Sequence, residues 1–267
     1  MTRRWRLADS DWNHWPDGLG DAGVWPMAAE HGLDGIEIGV YSAGTELASE
    51  RMLGLETLVA RHQLPVAAIL LSLPADRWPH GALTGDPAAV GRQVFACARA
   101  CRRFGLATLG LWPGADLPDA SYPALVAGLR QARDVAAALG VRVAVEYKPG
   151  TLLPDCESAL MLAADVPGTG VLLDTGHAHA AGEDPAEVIE RLAGLLWHVH
   201  LGDAKPGAED DDLPLGQVHD AAPMMAALAG TGFAGVASFD LYGAASSGGW
   251  TGADAVAASL RHLNGLL

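Results

Sequence analysis

"YPALVAGLRQARDVAAALGVRVAVEYKPG", Tyr122 to Gly150, carries the fold in one stretch. Tyr122-Pro123 opens an Ala/Leu-rich run of helical period, and Gly140 closes it. Proline in a first helical turn gives up a donor the helix does not use, and glycine adopts the left-handed cap at no steric cost. Then "VRVAVE", 141 to 146, reads as a short apolar strand that ends on a carboxylate. Two residues later stands Lys148, just before a Pro-Gly break.

The same unit recurs along the chain. Strands are expected at 4–9, 35–39, 66–72, 108–112, 141–146, 170–174, 195–200 and 235–240. Between them lie helical runs such as "DPAAVGRQVFACARACRRFG" and "DPAEVIERLAGL". Strands joined by crossover helices must run parallel, and eight such units in about 250 residues predict a single (β/α)8 TIM barrel, an α/β fold of parallel strands. A doubly wound open sheet is the competing arrangement, but it calls for a glycine-rich phosphate fingerprint after the first strand, which is missing. No linker or low-complexity tract interrupts the pattern, so residues 1–267 read as one TIM-barrel domain.

Composition narrows the partners. Half of the 267 residues are hydrophobic and 18% are charged, the balance of a folded globular chain. The formal net charge of -15 repels phosphate backbones and anionic membranes, so neither nucleic acid nor a membrane is an expected partner. The N-terminal stretch lacks an apolar signal core, and no run approaches the roughly 20 apolar residues of a membrane span, which predicts a cytoplasmic protein. Cys97, Cys101 and Cys156 are odd in number and read as buried thiols.

In a parallel barrel the site lies at the C-terminal strand ends. The last four strands end in Glu146, Asp174, His200 and Asp240, spaced by 28, 26 and 40 residues, each about one βα unit. All four residue types bind a divalent metal. Strand alternation turns Glu146 inward with Ala144 and turns Val143 and Val145 toward the helices. Three carboxylates and one imidazole suit Mn²⁺ first, with Mg²⁺, Co²⁺ and Zn²⁺ also compatible.

"VAVEYKPG", "VLLDTGHAHAAGEDP" and "LWHVHLGDA" together resemble the xylose isomerase-like TIM-barrel superfamily of sugar isomerases, ketose 3-epimerases, inosose dehydratases and endonuclease IV-type proteins. The resemblance implies one divalent metal on Glu146, Asp174, His200 and Asp240. Where most members are similar in placing a glutamate at the end of the last strand, "ASFDLYG" offers the shorter Asp240. That weakens the two-glutamate exchange of the epimerases. Glu146-Tyr147-Lys148 matches the Glu-x-Lys pair of xylose- and rhamnose-type isomerases, in which an ammonium beside a metal stabilises charge developing on sugar oxygens. The resemblance therefore implies Glu146, Lys148 and Asp240 as catalytic residues and His177 as a substrate contact. It also implies an unphosphorylated sugar as substrate and a homo-oligomer as one assembly seen in the family.

Other residues follow from position. His198 shares parity with His200 and faces the lumen one layer deeper. Asp203 is expected to hold His200 or a substrate hydroxyl, and Trp112, Trp12 and His14 to wall the sugar pocket, since indole packs well on sugar C-H faces. The run "GAEDDDLPLGQVHD" reads as a solvated acidic loop, and Glu37 as a structural barrel residue. The leading expectation is a metal-dependent aldose-ketose isomerase. A ketose 3-epimerase, a lyase of the inosose dehydratase type and a non-catalytic sugar- or metal-binding barrel are the alternatives.

Overall fold

A computed structural model describes residues 4–72, 83–84, 86–114, 120–208 and 211–266. Eight parallel strands close on themselves in sequence order: β1 (Arg6–Ser10), β2 (Gly35–Val40), β3 (Val66–Leu71), β4 (Thr108–Leu111), β5 (Arg142–Glu146), β6 (Gly170–Asp174), β7 (Leu196–Leu201) and β8 (Val236–Phe239). The seam is made by β1 against β8, with Arg6 opposite Val236 and Asp9 opposite Phe239. The chain is thus a TIM barrel, and each strand falls within two residues of its expected bounds.

The helices start and stop for the reasons their sequences give. Pro87–Arg103 and Pro185–Leu192 begin on proline, with Asp86 and Asp184 accepting the first free amides. Tyr122–Ala137 is capped by Ser121, and Gly140 takes a φ of 70° as the chain turns into β5. All three cysteines are buried free thiols, as expected. Among the described residues, no helix is long and apolar enough to cross a membrane.

Two kinds of core result. Outward residues such as Val143, Val145 and Tyr147 join the large apolar shell beneath the helices. Inward residues form smaller layers: Ala8, Ala68 and Val236 in one, and Trp12, Leu70, Ala144 and Leu172 in another. Small alanines let eight strands crowd together. Above the second layer the inward positions turn polar, and the site begins there.

Candidate active site

β5, β6 and β7 each deliver their last inward side chain to one point, and the residue after β8 completes the set. Donor atoms of Glu146, Asp174, His200 and Asp240 all lie within 4.8 Å of one another. His200 Nδ1 stands 3.1 Å from Glu146 Oε1, 3.4 Å from Asp240 Oδ2 and 3.9 Å from Asp174 Oδ2. Only Asp240 keeps appreciable contact with solvent, at 15% side-chain exposure.

Each donor is held from behind. Asp174 caps the short helix Thr175–Ala180, its Oδ1 accepting from the His177 amide at 2.9 Å, which leaves Oδ2 buried and without a hydrogen-bond partner. Asp240 Oδ1 accepts the indole N–H of Trp12 at 2.8 Å, and the Trp12 ring lies edge-on to His200 with centroids 5.7 Å apart. Trp12 fits because Gly39 has no side chain: a Cβ there would stand 2.9 Å from the indole.

His200 is set by Glu37. That carboxylate is fully buried in β2, accepts a short hydrogen bond from Ser238, binds His198 Nε2 at 2.9 Å and faces His200 Nε2 at 3.3 Å. With Nε2 turned to Glu37, Nδ1 is directed at the three carboxylates, the arrangement by which a buried carboxylate orients a metal-binding imidazole.

The charges are far from balanced. Burial, then Asp240 and Glu146, push Asp174 well above the usual carboxylate range. Burial opposes charge on His200, but Glu37 and Glu146 overcome it and hold the imidazole well above its ordinary value. Burial and the nearby Lys148 keep His177 well below, hence neutral. Three carboxylates crowded around one imidazole, with a buried Asp174 Oδ2 that lacks a hydrogen-bond partner, form a socket whose mutual repulsion a divalent cation would relieve. The donor set present fits such an ion.

A cavity of about 340 Å³ opens onto this cluster, lined by Glu146, Lys148, His177, Trp112, Asp240 and Trp12, among others. Lys148 therefore keeps the inward parity of Glu146, even though the strand ends at Glu146 and Pro149 follows. His177 Nδ1 lies 3.6 Å from Glu146 Oε1.

Of the other expected residues, His198 keeps the deeper layer foreseen for it and two stand away from the pocket. His14 is fully buried on a 3₁₀ turn, Asp11–His14, with Nε2 bonded to Asp9 at 2.8 Å. His198 lies one layer down on Glu37. Asp203 binds a loop rather than His200: its oxygens accept the amides of Val218 and His219 and pair with His219 Nδ1 at 2.8 Å. It organises the turn after β7.

Sequence reasoning also passed over Asp212. Within the acidic run, Glu209 and Asp210 lie outside the described residues, but Asp212 is buried and lines the cavity. Its Oδ2 accepts the Gly243 amide at 2.8 Å, and burial followed by Asp240 raises its pKa to about 7. The signal that points there is the next residue: Leu213 is apolar, buried and bridged to Asp203, so it draws its neighbour inward. Glu37 could have been found as the lone charge inside "GIEIGV".

The profile of a family described as Xylose isomerase-like TIM barrel matches residues 25–266. Inosose dehydratase of Geobacillus kaustophilus (strain HTA426) is 34% identical over 91 residues, covering 33% of this chain and 30% of that protein. The chain thus matches about a third of the length of such curated relatives. D-allulose 3-epimerase from Methylomonas sp., crystallised in complex with D-allulose, superposes with a TM-score of 0.78 at 19% identity, covering 100% of this chain and 99% of that one. The IOLI protein, with a binding zinc atom, gives a TM-score of 0.76 at 19% identity over 98% and 97% of the two chains. At these identities the two structures share the fold.

Proposed function

The chain belongs to the xylose isomerase-like TIM barrel family, and from that premise we propose a divalent-metal-dependent enzyme that shifts hydrogen between adjacent oxygenated carbons of an unphosphorylated sugar, an aldose-ketose isomerase. The observation that carries the reading is that Lys148 and Glu146 both line the cavity while Asp240 is hydrogen bonded to Trp12. An epimerase needs two free bases on opposite faces of the sugar. Asp240 is a poor second base, because its Oδ1 is engaged by an indole and its Oδ2 faces His200 Nδ1 at 3.4 Å.

Glu146, Asp174, His200 and Asp240 would hold the cation, which when bound supplies Lewis-acid polarisation of two neighbouring sugar oxygens. The chain's own groups do the rest. The Lys148 ammonium meets the negative charge that builds on the substrate oxygen as hydrogen leaves carbon. Glu146 is the carboxylate placed to carry a proton between carbons. Neutral His177 contacts a hydroxyl, and Trp112 packs on the C-H face and excludes water.

A dehydratase is the second reading, favoured by the 34% identity to inosose dehydratase over one third of the chain. The same lysine and glutamate could serve proton abstraction before loss of water.

Incubation of the Mn²⁺-loaded protein with a panel of aldoses, ketoses and inososes in D₂O, followed by NMR, separates the readings. Isomerisation at C1–C2 supports the proposal. Exchange confined to C3, or loss of water, would replace it with the epimerase or dehydratase reading. Glu146→Gln should lower turnover at least 10³-fold. Lys148→Met should lower kcat by about 10²-fold or more while leaving metal affinity within a few-fold, as for loss of one preorganised charge-stabilising donor.

A further inference from the structure

We propose that His179 and His219 form a second cation site, for a divalent transition metal, on the rim of the barrel and outside the mouth cavity. His179 lies on the helix Thr175–Ala180, and His219 on the loop between β7 and the helix Ala222–Gly230. Their rings stack with centroids 3.7 Å apart and planes 6° from parallel. Two imidazole nitrogens on one tetrahedral ion stand about 3.4 Å apart, given metal–nitrogen bonds of about 2.0–2.1 Å. One ligand atom each of His179, Asp203 and His219 lies within 4.8 Å of the others, and one ring must turn out of the stack for both in-plane lone pairs to meet a common ion.

The second observation is orientation. Asp203, 1% exposed, holds His219 by Nδ1 at 2.8 Å, and its other oxygen is fixed by two loop amides. Nε2 of His219 is left outward. This is the carboxylate–imidazole arrangement that fixes a metal-binding tautomer. Among the described residues, no protein group hydrogen bonds to that Nε2 or to either ring nitrogen of His179.

The third observation is room and charge. A cavity of about 550 Å³ meets both rings, and its wall includes Glu183, Asp184 and Asp220 and, among the described residues, no lysine or arginine. Such a wall attracts a cation and leaves space for water or a ligand donor to complete coordination. Two imidazoles favour Zn²⁺, Ni²⁺ or Cu²⁺ over Mg²⁺ or Ca²⁺. An ion there would tie the loop after β7 to the helix bearing His177, stiffening one side of the mouth.

The test is Zn²⁺ stoichiometry by equilibrium dialysis and elemental analysis on the full chain. The native protein should bind two Zn²⁺, and Asp174→Asn/His200→Asn should retain one. Adding His179→Gln/His219→Gln to that background should leave none. If the Asp174→Asn/His200→Asn protein binds no Zn²⁺, or keeps its ion after both rim histidines are replaced, the proposal is wrong. Folding of the variants is avoided by a second measurement on the native chain, long-range ¹H–¹⁵N NMR of the imidazoles during Zn²⁺ titration. His219 Nε2 should shift together with a His179 nitrogen at the second equivalent, and unmoved rim resonances would overturn the site. Failure of the isomerase reading leaves this outcome unaffected, since neither readout uses turnover.

Discussion

Glu37 places a carboxylate inside a strand whose neighbours are buried, and its three contacts explain how it is tolerated. Burial raises its pKa, but His198 and His200 overcome that and hold it well below the usual range. It therefore stays charged and keeps His200 Nδ1 facing the mouth. Glu37→Gln should weaken Mn²⁺ or Zn²⁺ binding by about 10–100-fold in a chelator competition, the usual cost of losing a carboxylate behind a ligand histidine. An unchanged affinity would reduce Glu37 to packing. Asp11 shows the opposite balance: burial outweighs help from Arg51 and the Gly39 amide, and its pKa rises to about 7. A folded pKa above the unfolded value makes the contribution of Asp11 fullest below pH ~4 and diminishes it as pH rises through about 7. Denaturation from pH 4 to 8 should show wild type losing stability relative to Asp11→Asn across that window. At this scale the convergence of Glu146, Asp174, His200 and Asp240 was legible because strand parity determines direction, and Lys148 retained that parity past the strand end. His14 and Asp203 were not, because each is claimed by a nearby partner, Asp9 or the His219 loop, that parity does not see.

The strands were legible to within two residues, as alternating apolar runs bounded by proline and glycine leave little freedom in a buried parallel sheet. The connections were less so. The segment after β7 reads as solvated from its charge, yet the antiparallel bridge between Asp203 and Leu213 folds it back over the barrel and buries Asp212 at a φ of 40°. A long-range backbone pairing of that sort has no local sequence period. Helix packing offers a sharper test. In Tyr122–Ala137, Gly128 faces the backbone so closely that a Cβ would stand 1.7 Å from the Leu83 carbonyl oxygen. Backbone on both sides cannot yield as a side chain can. Gly128→Ala should therefore destabilise by about 2 kcal/mol or more despite alanine's better helix propensity. Urea denaturation checks it, and a stabilised variant would mean that the contact between Gly128 and Leu83 does not constrain the helix.

Across the whole molecule, 32 acidic residues against 17 basic ones leave a self-repelling chain with three carboxylates gathered at one end of the barrel. A cation bound only by the folded state adds stability by mass action, about 2.7 kcal/mol at a hundredfold excess over Kd. Chelation should lower Tm by several degrees, and Mn²⁺ should restore it in the native chain. Asp174→Asn should blunt the recovery.

The bond between Trp12 and Asp240 joins residues 228 positions apart, across the seam of β1 and β8. During synthesis Trp12 emerges before Asp240, and seven strands, β2 to β8, are made between them. The third carboxylate and its indole tether meet as the ring closes, so a nascent chain short of β8 presents an incomplete socket. Any cation taken by this socket would then be a timestamp of completed folding, read by the emission of Trp12 in a variant that keeps it as the single tryptophan.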